Sequence, residues 1–295
     1  MSGICDSRVV IITGAGGGLG AAHAHEFAKE GASVVVNDIN EAAAQAVVDE
    51  IVAIGGKAIV NTSDITNYED AANAVKQAID AFGALHIVVN NAGINRDRMF
   101  ASLNEAEWDA IMAVHLKGHF CISSHAVHYW RAEAKAGTPV AARIINTTSG
   151  AGLQGSIGQS NYAAAKAGIA ALTLNQAAEL GRYGITANAV APAARTGMTT
   201  AVEAMATRMA KPDDGSFDYW APDNVSPLLV WLASEDGGKV SGRIFEAEGG
   251  KISIASGWHS TEGVDKGDRW QAGEIGSAMD KLLAAEVPAQ KVYGT

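Results

Sequence analysis

A hydroxyl, a phenol and an ammonium group occur at fixed spacing near the middle of the chain. Tyr162 and Lys166 are four residues apart in an Ala-rich stretch, and Ser149 lies shortly before them. Residues four apart share one face of a helix. A free phenol, with a pKa of about 10, is a weak base at neutral pH, and a nearby ammonium group favours the phenolate. This pattern predicts proton transfer at an alcohol or ketone. Tyr162 would be the general acid/base, Ser149 would orient the substrate oxygen, and Lys166 would lower the pKa of Tyr162.

Each of these residues also has a purely structural explanation. Tyr162 could be a buried aromatic side chain, Lys166 a surface charge and Ser149 a turn residue. The spacing Tyr-x-x-x-Lys by itself is common by chance. The chemical interpretation therefore depends on the elements that surround the three residues.

A glycine-rich turn near the N-terminus indicates a second site. The apolar run 9–12 is typical of a strand buried on both faces, and a helical pattern runs from Leu19 to Lys29. Glycines between them let the backbone approach a pyrophosphate, and the helix N-terminus offers free N–H groups. The turn predicts dinucleotide binding by Gly14, Gly16, Gly18, Leu19 and Gly20.

An acidic residue follows the next predicted strand. The run 33–36 ends at Asn37 and Asp38. A carboxylate at this place accepts hydrogen bonds from a ribose 2′-hydroxyl and repels a 2′-phosphate, so Asp38 predicts NAD rather than NADP. Alternatively, Asp38 could cap the helix predicted over 41–54, because Asp is a good N-cap.

Strand and helix patterns alternate along most of the chain. Further strands are predicted over 57–61, 86–89, 143–148, 186–190 and 243–247, with helices over 67–82, 105–130, 160–183 and 223–234. The alternation predicts an α/β fold, a single Rossmann-type, doubly wound, parallel seven-stranded sheet with helices on both faces. Ligands bind beyond the C-terminal ends of such strands. The candidate residues that fall at such ends are the glycine turn, Asp38, Asp64, Asn91, Ser149 and Pro192.

Composition narrows the class of protein. The chain has 295 residues, of which 48% are hydrophobic and 18% charged, which is typical of a large globular domain. We expect a dinucleotide-binding and catalytic domain over 1–250, and an extension over 251–295 that packs on the same domain or on a neighbouring subunit. A net charge of −10 argues against a nucleic-acid partner. Two isolated cysteines, no room for a signal peptide and no long apolar run predict a cytoplasmic protein without a membrane span.

Together these motifs resemble the short-chain dehydrogenase/reductase family from Arg8 to about Gly250. The resemblance rests on Thr13-Gly14-x-x-x-Gly18-x-Gly20, Asn90-Asn91-Ala92-Gly93, Ser149 and Tyr162-x-x-x-Lys166, which appear in this order. It implies a nicotinamide-dependent oxidoreductase in which Lys166 also binds the nicotinamide ribose. It further implies that Asp64 and Ile65 flank the adenine and that Asn91 lies by the cofactor ribose. The cofactor-binding set is completed by Ile39, Ala92, Gly93, Pro192 and Ala193.

The chain departs from the family pattern in two places. His115 stands where the family usually carries an Asn that supports a proton path, and imidazole can also relay a proton. Pro192-Ala193 replaces the usual Pro-Gly.

These departures resemble one branch of the family, the (3R)-hydroxyacyl-CoA dehydrogenase domain of peroxisomal multifunctional enzymes, also called 17β-hydroxysteroid dehydrogenase type 4. The stretches that carry this likeness are 6–10, 36–38, 114–118, 158–162 and 191–195. The likeness implies oxidation of a 3-hydroxyacyl-CoA or a hydroxysteroid with NAD, by a homodimer or tetramer that pairs through the helices predicted over 105–130 and 160–183.

Two other functions compete with this interpretation. A 3-oxoacyl-carrier-protein reductase, or another ketone reductase of the family, would share the motifs, but Asp38 disfavours the NADP that reductive biosynthesis tends to use. A catalytically silent nucleotide-binding regulatory protein would share the fold. The pairs His115/His119 and His125/His128 lack the further ligand of a metal motif, so no metal is expected.

A segment over 193–218 resembles a lid. Its cations Arg195, Arg208 and Lys211 are candidates for contacting a CoA phosphate, or could form a solvated face. Its methionines, with Phe217, Tyr219 and Trp220 at its end, would suit an acyl or sterol pocket, the core or an interface.

Overall fold

A computed structural model describes residues 3–201, 203–258, 260, 262–284 and 292–293. Eight strands occur in these residues: β1 (Val9–Thr13), β2 (Ser33–Asn37), β3 (Lys57–Asn61), β4 (Ile87–Asn90), β5 (Ala142–Thr147), β6 (Ile185–Ala193), β7 (Ile244–Glu248) and β8 (Lys251–Ile254). The α-helices are α1 (Gly18–Lys29), α2 (Glu41–Ala53), α3 (Tyr68–Phe82), α4 (Glu105–Ile111), α5 (Gly118–Lys135), α6 (Gly150–Gln154), α7 (Ser160–Leu180), α8 (Gly197–Thr200), α9 (Glu203–Arg208), α10 (Ser226–Ala233) and α11 (Ile275–Ala284).

The strands form one sheet in the order β3-β2-β1-β4-β5-β6-β7-β8. The pairs from β3 to β7 are parallel, which confirms the predicted doubly wound α/β fold. Successive strands are added on one side of β1 up to β3 and on its other side from β4 onward, and this switch point between β1 and β4 is where such sheets bind ligands.

The seven predicted strands are all present and parallel, and the sheet has an eighth strand that the sequence did not predict. The strand β8 pairs antiparallel with β7, joining Glu248 to Lys251 across a two-glycine turn. Gly249 has φ +49, which a glycine adopts without strain. Most of β8 is exposed, so it has no buried apolar run that would reveal it in the sequence. The eighth strand places the beginning of the predicted extension in the same sheet.

Both faces of the sheet are covered by helices. On one face Val10 and Ile12 pack in a cluster with Phe27 of α1, and on the other Ile11 packs in a cluster with Trp130 of α5. Successive strand residues point to opposite faces, so burial of both faces requires a continuous apolar run. This is the physical reason that the strands could be predicted.

The helix predicted over 105–130 is present but is not uniform. A π-helical segment, Met112–Lys117, separates α4 from α5 without ending the helix. Such segments widen the helical turn and often occur at functional sites. This one contains the buried side chain of His115.

Cys5 and Cys121 are both free and buried. Within the described ranges, no helix has the length and apolar character that crossing a membrane requires.

Candidate active site

A cleft of about 360 Å³ lies at the C-terminal ends of the central strands. We name its three parts by their residues. The glycine-loop wall consists of Gly14, Gly17, Gly18, Leu19, Asp38, Asn91 and Gly93. The tyrosine wall consists of His115, Thr147, Thr148, Ser149, Tyr162 and Lys166, and the lid wall of Pro192, Ala194 and the residues 196–199. The cleft therefore brings together the catalytic residues predicted from the sequence and most of the predicted cofactor residues.

The glycine loop is held close to its neighbours by backbone geometry. Gly14 has φ +63, and a Cβ there would lie 2.7 Å from the Cα of Ala92. A Cβ on Gly20 would lie 2.2 Å from the carbonyl oxygen of Gly14, so the helix α1 can pack on the loop only with glycine there. No side chain caps the N-terminus of α1, whose N–H groups and dipole face the cleft end of the loop. These features fit a phosphate group.

Asn91 fastens the end of β4 to the glycine loop. Its side-chain Nδ2 donates to the carbonyl oxygen of Thr13 at 3.0 Å, and its backbone N–H donates to Thr13 Oγ1 at 2.9 Å. The backbone N–H of Ala92 donates to the same hydroxyl at 3.1 Å. The two strand ends on either side of the switch point are thus joined by polar contacts.

Asp38 lies in the wall of the cleft beside the glycine loop. Its Oδ2 accepts a hydrogen bond from Gly16 N at 3.0 Å, and its Oδ1 accepts one from Asn40 N at 2.9 Å. The alternative that Asp38 caps the following helix is wrong. Asn40 is the N-cap of α2, and its side-chain oxygen accepts from Ala43 N at 3.2 Å.

The other predicted cofactor residues surround the cleft rather than forming its wall. Ile39 is 78% exposed beside Asp38 and is free to be covered by a flat ligand. Asp64 is exposed and accepts a hydrogen bond from Thr66 N, whereas Ile65 is buried in the core. The remaining members of the predicted set support the loop or the strand ends: Gly16, Gly20, Ala92 and Ala193.

The tyrosine wall is assembled where β5 ends and α7 begins its second turn. Ser149 is the N-cap of α6, and its Oγ accepts from Ala151 N at 3.2 Å, which leaves its own O–H available to donate. Lys166 is buried, and its Nζ donates to the carbonyl oxygen of Thr147 at 2.6 Å. The same Nζ lies 5.6 Å from the centroid of the Tyr162 ring.

Burial dominates the pKa values of the two titratable groups Tyr162 and Lys166 in this wall. Burial raises the pKa of Tyr162, while the neighbouring Ser149 hydroxyl acts in the opposite direction. Burial also lowers the pKa of Lys166 to about 7. In the free protein the net effect of the surroundings is therefore to raise the pKa of Tyr162, and the lowering by Lys166 that the spacing predicts stays a prediction. The ammonium group of Lys166 is turned to a backbone carbonyl and is itself costly to charge in the interior.

His115 lies directly against Tyr162. The two ring centroids are 5.1 Å apart in an edge-on arrangement, and His115 Nε2 lies 2.8 Å from the carbonyl oxygen of Ile94. Burial, followed by the charge of Lys166, lowers the pKa of His115 to about 3, so the imidazole is neutral. Its Nδ1 is buried and has no hydrogen-bond partner among the residues that the structure describes.

The predicted role of Arg195 in the lid is not supported. Its guanidinium donates two hydrogen bonds to the carboxylate of Asp218, from Nη1 to Oδ1 at 3.0 Å and from Nη2 to Oδ2 at 2.5 Å. Its Nη1 also donates to the carbonyl oxygen of Met209. The partners of this cation both belong to the lid segment, so its guanidinium is not left free for a CoA phosphate. Arg208 is exposed and lies over the ring of Trp220 at 5.7 Å.

Two polar lid residues that were not predicted from the sequence, Thr196 and Thr199, line the cleft with Met198. Thr196 and Thr199 form a reciprocal capping box at the start of α8. The pattern Thr-x-x-Thr was the available signal. In the part of the chain that the structure describes, no group of three or more His, Cys, Asp or Glu residues could hold a metal ion.

Comparison with known proteins shows the family of this chain. The short chain dehydrogenase family model matches residues 8–207. The hydroxyacyl-CoA dehydrogenase ChsB1 of Mycobacterium tuberculosis is 42% identical over 98% of this chain and 92% of its own. The peroxisomal multifunctional enzyme type 2 of Mus musculus is 38% identical over 86% of this chain, which spans 32% of that enzyme. A short chain dehydrogenase crystal structure from Mycobacterium avium is 52% identical, covers 99% of this chain and all of its own, and superposes with a TM-score of 0.91.

Proposed function

Because the chain belongs to the short-chain dehydrogenase family, we propose that it is an NAD-dependent enzyme that interconverts a secondary alcohol and a ketone, with a 3-hydroxyacyl-CoA as substrate. The observation that carries this proposal is the convergence of Ser149, Tyr162 and Lys166 on one cleft with the glycine loop and Asp38. The relative from M. tuberculosis, matched over nearly its whole length, bears the name hydroxyacyl-CoA dehydrogenase, which supports the substrate class.

The bound cofactor would supply a nicotinamide ring that accepts hydride from the carbinol carbon. The chain's own residues would then handle the proton and the oxygen. Ser149 donates its hydroxyl hydrogen bond to the substrate oxygen, and Tyr162 takes the proton from the substrate hydroxyl as the C=O bond forms. In the reverse direction Tyr162 returns this proton to the ketone oxygen.

The raised pKa of Tyr162 makes the neutral phenol the resting form. The phenol is the form that ketone reduction needs, whereas alcohol oxidation needs the phenolate. Lys166 would hold the nicotinamide ribose through its ammonium group. If the hydrogen bond from its Nζ to the carbonyl oxygen of Thr147 is lost, it must be replaced, because an unpaired buried polar group is costly.

We propose NAD as the cofactor on the position of Asp38. Its carboxylate is already fixed by Gly16 N and Asn40 N at the mouth of the glycine loop. A fixed carboxylate offers acceptors to the hydroxyls of a ribose, and its charge repels a 2′-phosphate.

The free, buried thiols of Cys5 and Cys121 suit a reducing compartment, consistent with a cytoplasmic enzyme.

His115 is proposed as a proton relay behind Tyr162. A neutral imidazole has one donor and one acceptor nitrogen, and the buried Nδ1 of His115 has no hydrogen-bond partner among the described residues, although His115 itself lines the cleft beside Tyr162. We expect His115→Phe to lower kcat about tenfold or more, within the range of a proton-transfer contribution, while His115→Asn retains most of it. Equal kcat values for the two variants would contradict the relay.

We also propose that the enzyme is a homo-oligomer that pairs through α5 and α7. Both helices carry a large apolar side chain on the surface, since Phe120 is 50% exposed and Leu174 is 47% exposed. Light scattering of the wild type and of Phe120→Glu would test this assignment, because a charge in an apolar interface favours the monomer.

The substrate class is tested by initial rates of NADH formation on a panel of alcohols. The panel holds 3-hydroxyacyl-CoAs of several chain lengths, the matching carrier-protein thioesters, a free 17β-hydroxysteroid and simple secondary alcohols. We expect the highest kcat/KM with an acyl-CoA. Rates confined to steroids or simple alcohols would contradict the CoA assignment, and a preference for the carrier-protein ester with NADP would favour a biosynthetic ketone reductase.

A further inference from the structure

The C-terminal strap, which we define as Val292–Tyr293, returns to the segment between the catalytic serine and tyrosine. Tyr293 N donates to the carbonyl oxygen of Gly155 at 3.2 Å, and Ile157 N donates to the carbonyl oxygen of Tyr293 at 3.0 Å. The two bonds flank Ser156, which pairs with Tyr293 in a parallel bridge. The loop between α6 and α7 is therefore held by backbone contacts with residues from the end of the chain.

The side chain of Tyr293 explains a glycine next to the catalytic serine. A Cβ on Gly150 would lie 2.7 Å from Tyr293 Oη and 2.8 Å from its Cε2. Gly150 begins the helix α6, where its backbone does not require glycine. The contact with the Tyr293 ring is thus the reason that this position has room for no side chain. Gly155 makes a similar approach, since a Cβ there would lie 3.3 Å from Val292 Cγ1.

The held segment connects the parts of the tyrosine wall. It begins at Gly150, directly after Ser149, and leads through the loop into α7, which carries Tyr162 and Lys166. Tyr293 also lies near Glu246 and Glu248 of β7, whose charges, after burial, raise the pKa of its phenol and keep it neutral. The contacts that hold the strap are therefore those with the α6–α7 loop, between the residues Ser149 and Tyr162 of the cleft.

We propose that Tyr293 is a positioning residue for the substrate. By filling the space over Gly150 and pinning the loop 155–157, it fixes where Ser149 meets the substrate oxygen relative to Tyr162. The backbone hydrogen bonds of Tyr293 join it to the α6–α7 loop, which leads into the helix that carries Tyr162, so we expect the strap to act on substrate turnover and not on cofactor binding. This inference rests on the proposed function, alcohol oxidation in the cleft.

The test is a double-mutant cycle of Gly150→Ala and Tyr293→Ala, with Tyr293→Phe as the matched control. Tyr293→Ala removes the ring, and Gly150→Ala adds a methyl group that displaces it. We expect each single variant to lower kcat/KM for the 3-hydroxyacyl-CoA about tenfold to 100-fold, the size of a small misplacement in an active site. Because the methyl group and the ring occupy the same space, we expect the double variant to lose no more than the worse single variant. Tyr293→Phe keeps the ring and should retain kcat/KM within about threefold.

Titration calorimetry of NAD and the thermal midpoint separate positioning from folding. We expect the NAD Kd and the midpoint of Tyr293→Ala to stay close to those of the wild type. Three results would each overturn the proposal. The first is losses that add in the double variant, and the second is an unchanged kcat/KM in Tyr293→Ala. The third is a parallel loss of kcat/KM, NAD affinity and thermal midpoint in Tyr293→Ala. If the wild type turns over no acyl-CoA, the proposed substrate fails first, and the same cycle is then run with the alcohol from the panel that it does oxidise.

Discussion

Asp38 and Asn91 in the glycine-loop wall are fixed by hydrogen bonds to the backbone of adjacent strand ends, whereas Gly150 and Arg195 near the tyrosine and lid walls contact side chains that lie outside the strands of the sheet. In the first case the partner is supplied by the parallel sheet itself. In the second it is supplied by side chains of the lid and the C-terminal strap. We therefore propose that the glycine-loop wall binds the cofactor common to the family, while the contacts made at Gly150 and Arg195 adapt the site to one substrate.

The largest expected effect comes from a substitution in the tyrosine wall alone. Tyr162→Phe keeps the ring against His115 but removes the proton-transfer group, so we expect kcat to fall by about 10²- to 10⁴-fold. NAD affinity, measured by calorimetry, should change little. Wild-type turnover in this variant would contradict the role of Tyr162, and parallel loss of NAD binding would show that the two walls are not separable.

A second substitution changes the glycine-loop wall and leaves the tyrosine wall intact. Asp38→Ala removes the carboxylate, and hydrogen bonds to charged groups contribute about 1.5–3 kcal/mol, so kcat/KM for NAD should fall about tenfold to 100-fold. The value for NADP should rise or stay constant, because the repelling charge is gone. Steady-state kinetics with both cofactors gives the ratio, and Asp38→Asn, which keeps the shape, is the matched control. An unchanged ratio would contradict the assignment of NAD to Asp38.

The pH dependence sharpens the comparison. Since burial raises the pKa of Tyr162, the phenol predominates at neutral pH and the phenolate increases as the pH rises. The rate of alcohol oxidation should therefore increase with pH, by at most about tenfold per unit, and the rate of ketone reduction should fall over the same range. Initial rates in both directions from pH 6 to 9 provide the test. A rate of oxidation that falls as the pH rises would contradict Tyr162 as the base.

The smallest expected effect concerns the lid. Arg195→Ala and Asp218→Ala remove opposite halves of one ion pair, so we expect both to raise KM by a similar factor, about two- to fivefold. The increase should be equal for an acyl-CoA and for a neutral alcohol. A KM increase confined to Arg195→Ala and to the acyl-CoA would instead restore this cation as a CoA phosphate contact.

The glycine-loop wall could be predicted from the sequence because its residues follow strands whose apolar runs are continuous. Gly14 and Asp38 could be placed without knowing any distant contact, since parallel strands align their ends. The helical face shared by Tyr162 and Lys166 follows equally from local spacing. Only the alternative for Asp38 as a helix cap failed there, because Asn40 competes for the same N–H groups.

The rest could not be predicted because it depends on tertiary contacts. The π-helical turn that buries His115 has no local signature in its sequence. The pKa values of Tyr162 and Lys166 depend on burial, which spacing does not reveal. Nothing near Gly150 indicates that its missing side chain leaves room for Tyr293 from the end of the chain.

The most direct test of the account is the initial rate of cofactor reduction by the wild-type protein with one 3-hydroxyacyl-CoA, measured with NAD and with NADP at equal concentration. The account predicts formation of NADH and of the 3-oxoacyl-CoA in equal amounts, with a rate at least about tenfold above that with NADP, as expected for a discriminating carboxylate. Binding of NAD without reduction in the presence of every acyl-CoA tested would contradict the proposed alcohol oxidation.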